Sequence, residues 1–217
     1  MRYFKDRAEA GRLLAEKMKD YASVNCAVLA LSEGGAVVGA EIAKQLHASL
    51  YLLAMEDVVL PRELEPLASM SSAGTFTYNH SLSNADLEEI TTESRAVIDK
   101  IRLETFQKLN RIISKDGPID KQLLKRHVVI IVSDGLANGL SLEVAADFLK
   151  PIITKGIVVA SPICSPKVVD LIHNMTTDMH YLDVIDTDFP LSHYYEDNTM
   201  PDHDRVVELM KNISLNW

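Results

Sequence analysis

Five short apolar runs punctuate this chain: CAVLAL at 26–31, SLYLLAM at 49–55, HVVIIV at 127–132, GIVVAS at 156–161 and MHYLDVI at 179–185. Helix-period segments lie between successive runs. Strands apolar on both faces do not suit a half-solvated sheet, and their alternation with helices predicts a mainly parallel sheet covered on both sides. The fold class expected is therefore α/β. With 217 residues and 47% apolar side chains, the chain is long enough for one sizeable domain with its own core.

The segments between the runs carry further signals. Phe4, Ala8, Leu14, Met18 and Tyr21 recur among charges at roughly helical spacing and predict an amphipathic helix over 3–21. A second helix is expected at 36–46, packing through Val37, Ile42 and Leu46. Residues 56–83 break the rhythm with prolines, serines and acids, and read as an irregular flap with a strand pair near 75–78. Residues 84–114 read as one helix or two, with Ser83 or Asn84 as N-cap and Asp116-Gly-Pro as the stop. Helices are expected again at 140–149 and 166–174, and residues 175–217 as a hood with a C-terminal helix.

Charge and composition exclude several functions. The 22 basic and 31 acidic side chains leave a net charge of −9, which repels a polyanion, so no nucleic-acid partner is expected. The most basic stretch, KQLLKRH at 121–127, reads as the flank of a strand. Cys26 and Cys164 both lie in or beside apolar segments and fit a reduced, cytoplasmic setting. The charged N-terminus does not resemble a secretion signal, and no run approaches the ~20 apolar residues of a membrane span, so no membrane partner is expected.

Open parallel sheets bind ligands beyond the carboxyl ends of their strands, where helix N-termini present free N–H groups. Two turns fit that position: LSEGG at 31–35 and VSDGLANGLS at 132–141. In the second, Gly139 permits close backbone approach, Ser141 offers a hydroxyl and an N–H to a phosphate, and Asp134 is placed for sugar hydroxyls. The same residues are also ordinary loop chemistry, because Asp, Asn and Gly tolerate left-handed backbone. No lysine precedes Ser141, so this is not a nucleotide P-loop, and Gly34, Gly35 and Gly39 miss the G-x-G-x-x-G spacing.

The order R-A-E-A-G-R-x-L-A at 7–15, A-L-x-x-G-G-x-x-V-x-x-E-I-A-x-x-L at 30–46 and x-D-G-x-A-x-G-x-S at 133–141 resembles predicted phosphoribosyltransferases of the type I fold. The resemblance implies a parallel five-stranded sheet flanked by helices, with a flap and hood over the site. It implies a small-molecule partner, phosphoribosyl pyrophosphate or a nucleotide. If the chain is active, Mg²⁺ would assist displacement of pyrophosphate by a nitrogen base. Ala137, Asn138, Gly139, Leu140 and Ser141 would hold the 5′-phosphate, Ser133 and Asp134 the ribose, and Glu33, Gly34 and Gly35 would line the pyrophosphate.

Three departures from that pattern stand out. Ser133 replaces the first of two adjacent acids, Asn138 to Ser141 replace Thr-Gly-x-Thr, and Glu33 stands where a basic residue is usual. A carboxylate about 5 Å from each unit of pyrophosphate charge costs on the order of 3 kcal/mol at an effective dielectric near 20. A weakened pyrophosphate site is expected, with reduced catalysis or a non-catalytic regulatory or interaction role as the alternative.

No histidine spacing resembles a metal-ligand set. His203, between Asp202 and Asp204, reads as a solvated loop. Tyr194 and Tyr195, followed by Glu196 and Asp197, fit either an acceptor-pocket cover or plain surface packing. The alternating charges at 88–108 suit a solvent face or, equally, the contact of a homodimer.

Overall fold

The computed structural model describes residues 3–61, 63, 65–113, 119–172, 178–186 and 190–214. Five of its strands are β1 (Cys26–Ala30), β2 (Ser49–Leu52), β6 (Val128–Val132), β7 (Gly156–Cys164) and β8 (Asp178–Val184). They form one parallel sheet in the order β2-β1-β6-β7-β8. Each expected apolar run lies in this sheet, although the 49–55 run divides: Met55 begins the next strand instead.

Alternation along the strands sorts their side chains onto two faces. Val28, Ala30, Ile130, Val132, Val158 and Ala160 enter one core cluster. There they meet α1 (Arg7–Lys17), α2 (Glu33–Leu46) and α7 (His203–Ser214), through Leu14, Ile42 and Val206 among others. Ala27, Leu29, Val129, Ile131 and Val159 enter the other, against α5 (Leu140–Leu149) and α6 (Pro166–Ile172). The two-sided cover explains why the central strands β1 and β6 are apolar throughout, while the edge strand β8 carries Asp178, His180 and Asp183.

The first helix is shorter than its apolar spacing predicted. Asp6 caps α1 by accepting from the Glu9 N–H at 2.7 Å, and a 3₁₀ turn over Lys19–Ser23 follows its end. Phe4 lies outside the helix as extended chain: its N–H donates to Tyr194 O, and its carbonyl accepts from Glu196 N–H, both at 2.9 Å. Tyr194 and Tyr195 are thereby core residues, not surface packing. Along α2, Val38 takes the fully buried position and Val37 is only half-buried.

The middle excursion is more ordered than a flap with one strand pair. It forms an antiparallel three-stranded sheet of β3 (Met55–Val58), β4 (Ala68–Ser71) and β5 (Phe76–Tyr78). Two helices, α3 (Asn84–Glu93) and α4 (Arg95–Ile113), accompany it, and Ser83 caps α3 through the Asp86 N–H. Leu60, Leu67 and Ile98 give this unit a small cluster of its own. Met70 and Leu109 reach into the main core, and Thr77 Oγ1 donates to Asp147 Oδ2 of α5 at 2.9 Å. The expected stop at 116–118 and the end of the 166–174 helix lie outside the described residues.

Candidate functional site

The sheet order reverses between β1 and β6, because the chain leaves β1 for one edge through β2 and fills the other side with β6, β7 and β8. At such a switch point the loops leaving the two strands part and open a crevice. The turn after β1 is 31–35 and the turn after β6 is 133–141. Strand pairing brings them side by side: Ala30 and Val132 are register partners, and Leu31 N–H donates to Val132 O at 2.9 Å.

Asp134 is the centre of the arrangement. Its Oδ2 accepts from Arg7 Nε at 2.8 Å and its Oδ1 from Ser32 Oγ at 2.8 Å. The Ser32 hydroxyl in turn accepts from Gly35 N–H at 2.8 Å, so one oxygen caps α2 and ties Asp134 to it. The carboxylate thus lies at the positive end of the α2 dipole. The Arg7 and Asp134 side chains are 5% and 19% exposed, which makes the pair a partly desolvated lock rather than a surface bridge.

Residues 195–198 close over this pair. Tyr195 OH donates to the Asp134 backbone carbonyl at 2.6 Å, the Arg7 guanidinium carbon lies 4.7 Å from the Tyr195 ring centroid, and Arg7 Nη2 donates to Asn198 Oδ1 at 2.9 Å. Burial pushes the Tyr195 phenol well above its ordinary value; the Asp134 charge adds to the rise and Arg7 opposes it. Tyr195 therefore acts as a neutral donor. Arg7 Nη1 is buried without a hydrogen-bond partner among the described residues.

Gly34 makes this geometry possible. A Cβ at that position would stand 2.1 Å from Asp134 Oδ2 and 2.7 Å from Arg7 Nε. Glu33, beside it, opens the first turn of α2 with its side chain 34% exposed, and its Oε1 lies 3.8 Å from His203 Nδ1. His203 is thus not in a solvated loop: it begins α7 and is turned toward Glu33, while Asp202 and Asp204 are exposed.

The second turn is wired differently. Ser133 is buried, and its hydroxyl donates to Gly135 O at 2.8 Å within the turn. Leu136 is stitched to the end of β7: its N–H donates to Ile163 O, and its carbonyl accepts from Ser165 N–H. Beyond it Ala137 and Asn138 are exposed, and Asn138 Oδ1 accepts from Leu140 N–H at 3.2 Å. Gly139 precedes α5 without a side-chain cap, Leu140 enters the core, and Ser141 stands half-buried in the first helical turn.

The expected residues 33–35 and 133–134 therefore converge, and 137–141 lie at the head of α5 leaving the same crevice. Arg7, Ser32 and Asn198 were not among them, and for Tyr195 the sequence fits either an acceptor-pocket cover or surface packing. Arg7 could have been found: it shares the helical stripe of Ala10, Gly11, Leu14 and Met18, where a lone charge is out of place. Among the described residues, no group of three or more His, Cys, Asp or Glu side chains could hold a metal ion. A groove of about 380 Å³ lined by Tyr78, Thr91, Thr92, Arg95, Ile98 and Asp99 belongs to the α3–α4 unit and shares no residue with the crevice.

No protein-family model matches the chain. Two curated relatives from strains of Mycobacterium tuberculosis, each named "Putative phosphoribosyl transferase", are 25% identical over 211 residues. The aligned region is 97% of this chain and 47% of theirs, so the chain spans about half the length of the curated relatives it matches. The crystal structure of TT1426 from Thermus thermophilus superposes with a TM-score of 0.71 at 23% identity, covering 98% of this chain and 99% of that one. The similarity to proteins named as phosphoribosyl transferases agrees with the resemblance read from the sequence, and the parallel five-stranded sheet flanked by helices is the one expected. Among the described residues, no helix is long and apolar enough to cross a membrane.

Proposed function

We propose that this protein binds a ribose-phosphate ligand, phosphoribosyl pyrophosphate or a nucleotide, in the crevice between the two turns. The observation that carries this reading is the adjacency of two glycine-bearing turns at the carboxyl ends of β1 and β6, where the sheet order reverses. The phosphate lies at the head of α5, held by backbone N–H groups and the hydroxyl of 137–141. The sugar faces Ser133 and Asp134, and the diphosphate end faces 33–35.

A non-catalytic role is the second reading, and one feature favours it. Both oxygens of Asp134 are already bonded within the chain, so a sugar hydroxyl must compete with Arg7 or Ser32 for them. Mg²⁺ fits as an ion carried by the diphosphate, since it commonly keeps its waters and binds through substrate phosphates with one or two carboxylates; Glu33 and Asp134 are the carboxylates at the 33–35 turn. If the protein is a transferase, a base nitrogen bonds to the ribose anomeric carbon while the C–O bond to diphosphate breaks and diphosphate leaves with the electron pair.

Calorimetric titration with ribose 5-phosphate, a nucleoside monophosphate and phosphoribosyl pyrophosphate, with and without Mg²⁺, tests the proposal. Micromolar binding is expected, weakened by ~10-fold or more in Ser141→Ala, the effect of one hydrogen bond to a charged group. Absence of binding by all three ligands would sink it. Release of diphosphate in a screen of nitrogen bases separates the enzyme from the non-catalytic reading.

A further inference from the structure

Arg7 has no task in the ligand reading above, yet no side chain in the crevice is more constrained. It reaches the site from α1, 127 positions before the aspartate it meets. A guanidinium carries five N–H donors in a fixed fork and remains charged at any ordinary pH. Nε is given to Asp134 Oδ2 and Nη2 to Asn198 Oδ1, while Nη1 is buried with no partner among the described residues. Buried polar groups are nearly always bonded, so Nη1 has donor capacity for an acceptor from outside the chain, which an anionic ligand can supply.

Its position says which kind of acceptor. The guanidinium lies against Gly34, with Nε only 2.7 Å from where a Cβ would be, in the first turn of a 14-residue helix, the end that carries the positive pole of the dipole. A cation and a helix head converge there on one spot, and the group now occupying it is an anion, the Asp134 carboxylate. The cover is thin, because Asn198 belongs to the exposed segment 196–200.

We propose that Arg7 is an anion-binding residue of this crevice. Its guanidinium takes an oxygen of a phosphate or diphosphate at the head of α2, where the Asp134 carboxylate, which now holds Nε beside Gly34, is the internal competitor. The inference rests on the ligand reading above but concerns a different part of the crevice. It predicts opposite effects from the two members of one ion pair, which a purely structural bridge does not: removing Arg7 weakens the anion, whereas neutralising Asp134 strengthens it.

Inorganic diphosphate is the probe, because it lacks the ribose that Asp134 is expected to hold. In the native chain its titration should shift the Arg7 guanidinium N–H resonances and bind measurably by calorimetry. Affinity should fall at least tenfold in Arg7→Gln and rise severalfold in Asp134→Asn, with thermal melts confirming that each variant folds. If Arg7→Gln does not fold, the neutral pair Arg7→Gln with Asp134→Asn replaces it and should bind no more tightly than the native chain. Diphosphate binding unchanged in Arg7→Gln, equal losses in both single variants, resonances that do not respond, or no diphosphate binding at all each overturn the inference. Ribose 5-phosphate binding that depends on Ser141 while diphosphate ignores Arg7 leaves the ligand reading standing; Arg7-dependent diphosphate binding without any ribose-phosphate binding does the reverse.

Discussion

The two glycine-bearing turns occupy equivalent places at the ends of adjacent strands, yet the first is locked along its length while the second is locked at Asp134 and bare at its tip. The 31–35 turn is held from afar: α1 sends Arg7, the β6 turn sends Asp134, and the 195–198 segment closes over both. The 133–141 turn joins that lock at Asp134, but beyond it is held mostly by its own residues and by the end of β7, and leaves Ala137 and Asn138 in solvent. A turn stabilised by long-range polar contacts loses adaptability, because each partner fixes the others. A turn stabilised locally can change its exposed tip without disturbing the core.

The sharpest way to break this contrast is to put a methyl group into each turn. Gly34→Ala drives a Cβ into the Arg7–Asp134 pair, and separating a buried pair costs about 3–5 kcal/mol. A melting temperature lowered by roughly 10 °C is expected. A fall of only a degree or two would mean that the lock is soft. Gly139→Ala should cost less, about 1–3 kcal/mol, because its new Cβ meets only the terminal methyl of Leu171, 2.1 Å away at the end of a flexible side chain. Adding Leu171→Ala should recover part of that loss, and strict additivity of the two changes would refute the clash.

Two smaller changes refine the picture. Tyr195→Phe removes one neutral hydrogen bond to the Asp134 carbonyl and should cost about 1 kcal/mol in denaturant unfolding, without altering α5. Glu143, in the first turn of α5, has its carboxyl pushed up chiefly by burial, against the opposing pull of His80. Its folded value exceeds its unfolded one, so its contribution is most favourable below the ordinary glutamate value of 4.5 and is lost as pH rises through the folded value. Glu143→Gln should therefore gain stability relative to the native chain at pH 7 compared with pH 4, and an equal difference at both pH values would contradict the burial argument.

Much of the scaffold was legible because it is written in local periodicity. Runs such as HVVIIV are apolar on both faces, and their alternation with helix-period segments is what strands covered on both sides of a sheet produce. The Ser83 cap was legible for the same reason, since its partner lies three residues on. The third strand of the middle sheet was less visible: MEDV at 55–58 has no apolar alternation and is half-exposed, so pairing with Ala68–Ser71, not pattern, makes it a strand. His203 was misread because acids on both sides suggested solvent, while its own side chain turns along α7 toward Glu33.

The sequence by itself determined the class of fold, the positions of the two turns and the residues each turn contains. These follow from hydrophobic period and turn chemistry, which act within a few residues. The tertiary structure alone decided that Arg7 meets Asp134, that Ser32 bridges the turns and that Tyr195 and Asn198 cover them. Those contacts join residues up to 191 positions apart, and no local preference encodes them. They exist because the crossovers of the parallel sheet bring β1 and β6 together and lay α1 beside the head of α2, where a buried charge must find its counterpart.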